Sequence, residues 1–205
     1  VRRGDGVLYG LKGVTMKRII LAGLLGFTVW ACAQDSAPKP DAGNTSNAAH
    51  LEGESLNLGG ISVTSPAAWQ SQPPSSSMRK AQFVLPGQGG GGDAELVVFY
   101  FGAGNAGSVE MNLQRWRGQM KGAEGETTKG TVNGMPVTTL DVSGSYAASM
   151  GPMMQSGPEK SGYRMVASIV ESPAGAYYFK LTGPQETVSH WKQTFDQFIA
   201  SAKAS

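Results

Sequence analysis

Residues 126–142 read ETTKGTVNGMPVTTLDV, and this stretch decides the fold class. Two extended runs flank Asn133-Gly134, and Asn-Gly in that position is the strongest short-range signal for a β-hairpin. A second pair of extended runs, residues 163–171 and 177–182, surrounds a turn at residues 173–175. Because strands joined by a hairpin are antiparallel, the sequence predicts an antiparallel sheet.

The segments around these hairpins supply further strands and two helices. Residues 94–101, AELVVFYF, are apolar on both faces, which predicts a central strand. Apolar residues recur at helical spacing over residues 108–120, with Ser108 as N-cap, and over residues 184–202. Shorter extended runs at residues 61–63 and 79–85 bring the number of predicted strands to about seven. The predicted class is α+β, an antiparallel sheet of about seven strands with two main helices packed on it.

Residues 1–31 have the layout of an export signal. A basic start at residues 16–18 precedes a run of 12 uncharged, mostly apolar residues, 19–30. A helix that spans a bilayer needs about 20 such residues, so this run favours a signal peptide. We expect translation to start at Met16, with Val1 as the alternative, and the signal to be removed in either case.

The residues at the predicted cleavage site resemble the lipobox of bacterial lipoproteins. Val29 and Ala31 match the pattern before Cys32, whereas Trp30 stands where a small residue is usual. The resemblance implies cleavage before Cys32 and palmitate-type lipid on that residue, which holds the protein to a membrane. An ordinary signal cleaved nearby and an uncleaved anchor are the alternatives. Ala33, in place of aspartate, resembles an outer-membrane sorting signal if the organism is diderm.

Composition divides the rest of the chain into two parts. Residues 32–55 are rich in Ala, Ser, Asn, Asp, Pro and Gly, which predicts a flexible tether with a solvated His50. Residues 56–205 are predicted to form a single α+β domain. Residues 1–31 hold five of the 17 basic and one of the 15 acidic residues, so the remainder carries a formal charge of −2. Such a balance excludes the strongly basic surface that nucleic-acid binding requires.

The sequence offers little for catalysis or metal binding. His190 is the one histidine inside the predicted domain, and Cys32 lies outside it, so neither a triad nor a Cys–His pair is expected. Asp93 and Glu95 are predicted to be solvated. The glycine run at residues 87–92 is predicted to be a flexible hairpin loop. We therefore expect no enzyme activity, metal or cofactor.

One glycine motif supports an alternative function. Residues 102–107 match GxGxxG between a strand and a helix, the spacing of a dinucleotide site. The alternative is a small-ligand or nucleotide-binding protein, or an enzyme, that uses this strand-to-helix turn.

Candidate partner-binding residues lie on the first helix and on an early strand. Arg115 and Arg117 flank Trp116, and Arg79 begins the strand at residues 79–85. Arginine beside an aromatic residue suits an acidic partner or a phosphate headgroup, although helix arginines are more often only solvated. Residues 143–162, which include Met150, Met153 and Met154, are predicted to be a mobile insertion with an adaptable apolar surface.

Three segments carry a resemblance to known proteins that covers residues 56–203. SMRKA at residues 77–81 and NLQRWRGQ at residues 112–119 resemble a family of uncharacterised bacterial predicted lipoproteins. YFKLTGP at residues 178–184, with the helix after it, is similar to the closing hairpin and helix of PsbP-like domains. The resemblance implies a non-enzymatic binding or assembly module in the cell envelope, with an envelope protein as partner.

Overall fold

A computed structural model describes residues 52–147 and 157–205. In these two segments the chain forms ten strands and two helices. The strands are β1 (Gly53–Asn57), β2 (Ile61–Pro66), β3 (Gln70–Gln72), β4 (Arg79–Leu85), β5 (Ala94–Tyr100), β6 (Met120–Val132), β7 (Met135–Tyr146), β8 (Lys160–Ser172), β9 (Gly175–Pro184) and β10 (Lys203–Ala204). The helices are α1 (Val109–Arg117) and α2 (Gln185–Ala200).

Seven strands form the main sheet in the order β3-β4-β5-β9-β8-β7-β6, with every neighbouring pair antiparallel. β1, β2 and β10 form a second, three-stranded sheet. The predicted α+β class, with its seven-stranded antiparallel sheet and two helices, is confirmed. β5 lies between β4 and β9, as its two apolar faces predicted.

The turn at Asn133-Gly134 connects β6 to β7 as predicted. Asn133 has a φ of 47° and Gly134 a φ of 81°. Two consecutive positive φ values match the twist of the flanking strands, and Asn and Gly are the residues that adopt them at least cost. The local sequence thus sets the register of the longest hairpin in the sheet.

Several element boundaries differ from the prediction. α1 ends at Arg117, with Gly118 as its C-cap, and β6 begins at Met120 where residue 126 was expected. A register shift between Lys121 and Glu124 interrupts the strand pairing, and this edge strand is mostly exposed, so no alternation of apolar residues marks its start. β1 includes residues 53–55, which composition alone assigned to the tether.

The prediction that residues 143–162 form a mobile insertion is wrong at both ends of that segment. β7 continues to Tyr146, and β8 begins at Lys160. Tyr146 pairs with Lys160, and Gly144 pairs with Tyr163, across the two strands. Because this region is rich in glycine and serine, its sequence did not indicate where the two strands end. Met150, Met153 and Met154 lie outside the described residues.

Helix α2 covers one face of the main sheet. Phe198 is fully buried in the core beneath α2, with ring centroids 5.1 Å from Trp69, 6.2 Å from Phe83 and 5.7 Å from Phe179. Thr187 Oγ1 accepts a hydrogen bond from the Gln88 amide (3.1 Å), so α2 also holds the glycine-rich β4–β5 loop. That loop connects a hairpin as predicted, but it is tied to the helix.

Helix α1 covers part of the opposite face. Trp116 on α1 packs edge-on against Tyr178 of β9, with centroids 6.2 Å apart, and joins a second apolar cluster. Tyr178, Lys180 and Thr182 alternate along β9 onto this face, while Phe179 and Leu181 point towards α2. α1 has nine residues and is too short to cover the whole face. Side chains of the sheet therefore form much of the surface around Lys180.

Among the described residues, no helix is long and apolar enough to span a bilayer.

Candidate binding site

A recess of about 130 Å³ lies on the α1 side of the sheet, beside the helix. We call it the Lys180 recess. It is lined by Arg79, Glu95, Val97, Phe99, Tyr146, Lys180 and Thr182. These residues come from β4, β5, β7 and β9, and the pairing of β5 with β9 sets Val97 opposite Lys180 and Glu95 opposite Thr182. The alternation of strand side chains therefore brings two cations, one carboxylate and two hydroxyls to one place.

Lys180 is the central charged group of the recess. Its Nζ donates hydrogen bonds to Gln119 Oε1 at 2.6 Å and to Tyr146 Oη at 3.3 Å, and it lies 5.1 Å from the centroid of the Tyr146 ring. Burial lowers the pKa of Lys180 from 10.5 to about 8, whereas Glu95 acts in the opposite direction. Among the described residues no carboxylate forms an ion pair with Lys180, so its charge is only partly compensated.

Arg79 and Glu95 form the outer wall of the recess. Arg79 Nη1 donates to Gln82 Oε1 at 2.9 Å and to Glu95 Oε1 at 3.3 Å. Gln82 Nε2 donates to the same carboxylate oxygen at 2.9 Å. The guanidinium carbon of Arg79 lies 5.6 Å from the centroid of the Phe99 ring. Glu95 is exposed, in agreement with the prediction that it is solvated, and the strand orients its carboxylate towards Arg79.

Two hydroxyl groups complete the polar lining. Thr182 Oγ1 is buried and has no hydrogen-bond partner among the described residues. The Tyr146 ring stacks on Tyr163 at 5.9 Å, and burial raises the pKa of Tyr146. A buried hydroxyl without a partner is unfavourable by about 1–3 kcal/mol, so Thr182 favours a ligand that can bond to it.

We expect Lys180→Met to stabilise the fold by about 1–3 kcal/mol at pH 7, because the variant buries no charged amine. Lys180 has a pKa of about 8 in the folded chain and an ordinary value of 10.5. Below pH 8 both states hold the proton, and the full cost of the buried charge is present. Between pH 8 and 10.5 the folded state releases its proton first, so wild type gains stability relative to the variant. Urea unfolding at pH 7 and pH 9.5 measures both effects.

The matched control for this prediction is Lys129→Met, which removes an exposed lysine from β6. Its effect should stay within about 0.5 kcal/mol at both pH values. A Lys180→Met variant less stable than wild type at pH 7 would contradict the prediction. It would show that the hydrogen bonds of the amine to Gln119 and Tyr146 outweigh the cost of burying its charge.

The four predicted partner-binding residues do not converge on one surface. Arg79 lines the recess. Burial raises the pKa of Tyr178 and lowers that of Lys180, and Arg115 lies near enough to act towards a lower pKa in both residues. Trp116 is 4 % exposed, so as a core residue it cannot contact a partner directly.

The remaining arginine of the set lies apart. Arg117 Nη2 donates to Thr127 Oγ1 on β6 at 2.8 Å, and this contact directs the side chain to the far edge of the sheet. Arg115 donates from Nη2 to Asn112 Oδ1 on its own helix. Of the predicted set, Arg79 and Arg115 are therefore the two that lie at or near the recess.

Sequence reasoning missed Lys180, Tyr146 and Thr182. A signal for Lys180 was present, because YFKLT places a lysine within a strongly apolar strand, at an alternating position with Tyr178 and Thr182. No local signal pointed to Tyr146, which comes from a segment that was predicted to be mobile. These residues come together through the pairing register of β5, β9, β8 and β7. The sequence of a single strand does not encode that register.

The glycine motif at residues 102–107 forms a tight turn before α1. Gly102, Gly104 and Gly107 have φ values of 86°, 75° and 74°. Ser108 Oγ accepts from the Met111 amide at 3.2 Å, which confirms the predicted N-cap, and Asn112 Nδ2 donates to the carbonyl oxygen of Ala106 at 2.8 Å.

This turn differs from a dinucleotide site in topology and charge. The strand after α1 is β6, an edge strand antiparallel to β7, so the described residues contain no βαβ unit at this motif. The depressions beside the turn are lined in part by Glu110 and Glu171. Carboxylates near a helix N-terminus offset the attraction of its dipole for phosphate.

The other residues considered for chemistry lie away from the recess. His190 is exposed on α2, edge-on to Trp191 at 4.8 Å, on the opposite side of the sheet. Within residues 52–147 and 157–205, no three side chains of His, Cys, Asp or Glu gather as a metal site. Cys32 and His50 lie outside the described residues.

The fold class is thus an antiparallel α+β sheet with one helix on each face, and solved structures of this kind are known. No family model matches the chain, and no curated protein matches it. The chain is similar to cyanobacterial PsbP from Synechocystis sp. PCC 6803, with 12% identity over 71% of this chain and 87% of that one and a TM-score of 0.46.

Two further structures show a comparable likeness. LpqN of Mycobacterium tuberculosis, described as involved in cell envelope biogenesis, is 15% identical over 76% of this chain and 92% of that one, with a TM-score of 0.48. A Pseudomonas aeruginosa protein of unknown function is 17% identical over 72% of this chain and 94% of that one, with a TM-score of 0.44. Likenesses at these identities concern the fold alone.

Proposed function

We propose that the chain is a lipid-anchored cell-envelope protein of the non-enzymatic binding or assembly type, and that its domain binds an envelope component at the Lys180 recess. Lipid on Cys32 would hold it to a membrane, with the domain outside the cytoplasm, and to the outer membrane if the organism is diderm. A tether of about 20 residues would let the domain move about 25 Å from the lipid surface.

The observation that carries this proposal is a half-buried lysine on the wall of an open recess, with no ionic partner among the described residues. Lysine is among the residues least often buried without an ionic partner, because desolvation of its charge is costly. Lys180 instead bonds to two neutral groups, Gln119 and Tyr146. Perturbed charged groups in a recess are typical of functional sites, since a ligand can supply the missing counter-charge.

The composition of the recess favours binding over catalysis. Its polar groups are Arg79, Glu95, Tyr146, Lys180 and Thr182. A catalytic centre for acyl or phosphoryl transfer would need an activated nucleophile and a base within hydrogen-bond reach, oriented by a third group. In the recess, Glu95 instead neutralises the charge of Arg79 in an ion pair, and the charge of Lys180 remains available to a ligand.

The test is crosslinking in intact cells, followed by capture of the tagged full chain from solubilised membranes. We expect one envelope component to crosslink to wild type and its yield to fall at least tenfold for Arg79→Ala/Lys180→Met. The matched control is Arg117→Ala/Lys129→Met, which removes the same two kinds of charge at the β6 side of the sheet. Equal yield from both double variants would exclude the recess as the binding surface, and no crosslinked component in wild type would contradict the binding function.

A further inference from the structure

We propose that the Lys180 recess binds a carboxylate group carried on a short apolar chain, with Lys180 Nζ and Thr182 Oγ1 as its donors. This inference rests on the proposed function of the recess as a binding site and adds the chemical class of the ligand. The carboxylate could belong to a free organic acid or to the carboxyl terminus of a peptide. The chemistry of recognition is the same for both.

The charge of the recess favours a monoanion. Arg79 and Lys180 supply two positive charges, and Glu95 supplies one negative charge at 3.3 Å from Arg79. One positive charge therefore remains for a ligand inside the recess. A carboxylate balances it, whereas a phosphate dianion would leave an uncompensated negative charge beside Glu95. Arg115 is exposed and lies outside the lining, so solvent weakens its effect on Lys180 without removing it.

Free donors are present where the ligand would lie. The ammonium group of Lys180 has three N–H bonds, and its two described partners are Gln119 and Tyr146. Thr182 Oγ1 is buried and has no partner among the described residues. Arg79 uses one of its two terminal nitrogens in the described contacts, so the other can reach an anion at the rim.

The size and the apolar wall of the recess limit the ligand. Its volume of about 130 Å³ is close to that of an engineered cavity of about 150 Å³ that accepts benzene. Val97, which is buried, and Phe99 form the apolar part of the lining. A hydrated inorganic ion would make no apolar contact with this wall, whereas a chain of a few carbons would cover it.

The charge state of Lys180 makes this binding dependent on pH. The ionisable groups around its amine are Glu95 on β5, Arg79 on β4, Arg115 on α1, and Tyr146 with Tyr163 stacked on it from β7 and β8. Carboxyl, guanidinium and phenol groups ordinarily titrate outside the range from pH 6 to 9. Lys180, with a pKa of about 8, therefore changes its charge within that range. Because the carboxylate requires the protonated amine, affinity should fall about tenfold per pH unit above pH 8.

The experiment is calorimetric titration of the purified full chain in uncharged detergent. The probes are sodium propionate, its neutral isostere propionamide, inorganic phosphate, and an N-acetylated dipeptide of alanine with a free or an amidated carboxyl terminus. We expect propionate and the free-acid peptide to bind and the two amides not to bind. A peptide that binds tighter than propionate identifies a protein terminus as the source, and the reverse order identifies a small acid.

Two variants make the test specific. Lys180→Met should lose at least tenfold in affinity, and Thr182→Val, which keeps the shape of the side chain, should lose severalfold. Lys129→Met should bind like wild type. Unchanged affinity in Lys180→Met, or phosphate binding tighter than propionate, would overturn the carboxylate proposal. If propionate fails to bind while the envelope partner is still lost in Arg79→Ala/Lys180→Met, the ligand class is wrong and the recess remains the binding site.

Discussion

Replacement of Cys32 by serine is expected to abolish labelling of the protein with radioactive palmitate and to release it from membranes. The lipobox resemblance implies that the sulfur of Cys32 receives a diacylglyceryl group, and a serine hydroxyl would not replace it in this modification. Each buried methylene contributes about 0.8 kcal/mol, and two or more chains give stable anchoring. Labelling and membrane fractionation of wild type and variant measure both effects.

The control for this prediction is Ala33→Ser, which changes the next residue and keeps the cysteine. It should incorporate label as wild type does. Equal labelling of Cys32→Ser and wild type would place the lipid elsewhere or exclude it. A labelled wild type that still fractionates away from membranes would contradict the anchor but not the modification.

The second large effect concerns the core beneath α2. Phe198→Ala is expected to destabilise the fold by about 3–5 kcal/mol, the range for removal of a buried phenylalanine ring. Phe198 is fully buried and contacts three other aromatic rings, those of Trp69, Phe83 and Phe179. The neighbouring rings are wide and held by strands, so they cannot fill the space by small shifts. Since a domain has about 5–15 kcal/mol of stability, this loss is a large fraction of it.

Urea unfolding followed by tryptophan fluorescence measures the loss. Gln193→Ala is the control, because Gln193 is exposed on the same helix and its removal leaves the core intact. The control should stay within about 0.5 kcal/mol of wild type. A cost of less than 1 kcal/mol for Phe198→Ala would show that α2 contributes little to the stability of the sheet.

The parts of the fold that the sequence predicted are those with strong local signals. Asn133-Gly134 specifies a turn by the φ values that these two residues adopt, and both are positive as expected. α2 has a stripe of large apolar residues, among them Trp191 and Phe195, which indicates a helix without any tertiary information. β5 has apolar residues on both faces, and the strand lies inside the sheet.

The site was predicted only in part, because its residues meet through long-range pairing. Arg79 was selected for its type, and the structure places it in the recess. Lys180 and Thr182 were not selected, since their surroundings depend on the register of β9 against β5. Trp116 was predicted to face the core from the apolar stripe of its helix, and it packs against Tyr178 in the core, which leaves it no surface for the partner contact it was also assigned.

The strand order also has a consequence for how the molecule folds. β3-β4-β5 and β9-β8-β7-β6 are two groups in which each strand pairs with a neighbour in sequence, and the β5–β9 pairing alone joins the two groups. That pairing connects positions about eighty residues apart, such as Val97 and Lys180, and long loops of this kind close slowly. The recess lies across this seam, so it does not exist in a chain whose two halves have folded separately. A molecule that binds there would hold the seam closed and slow its unfolding.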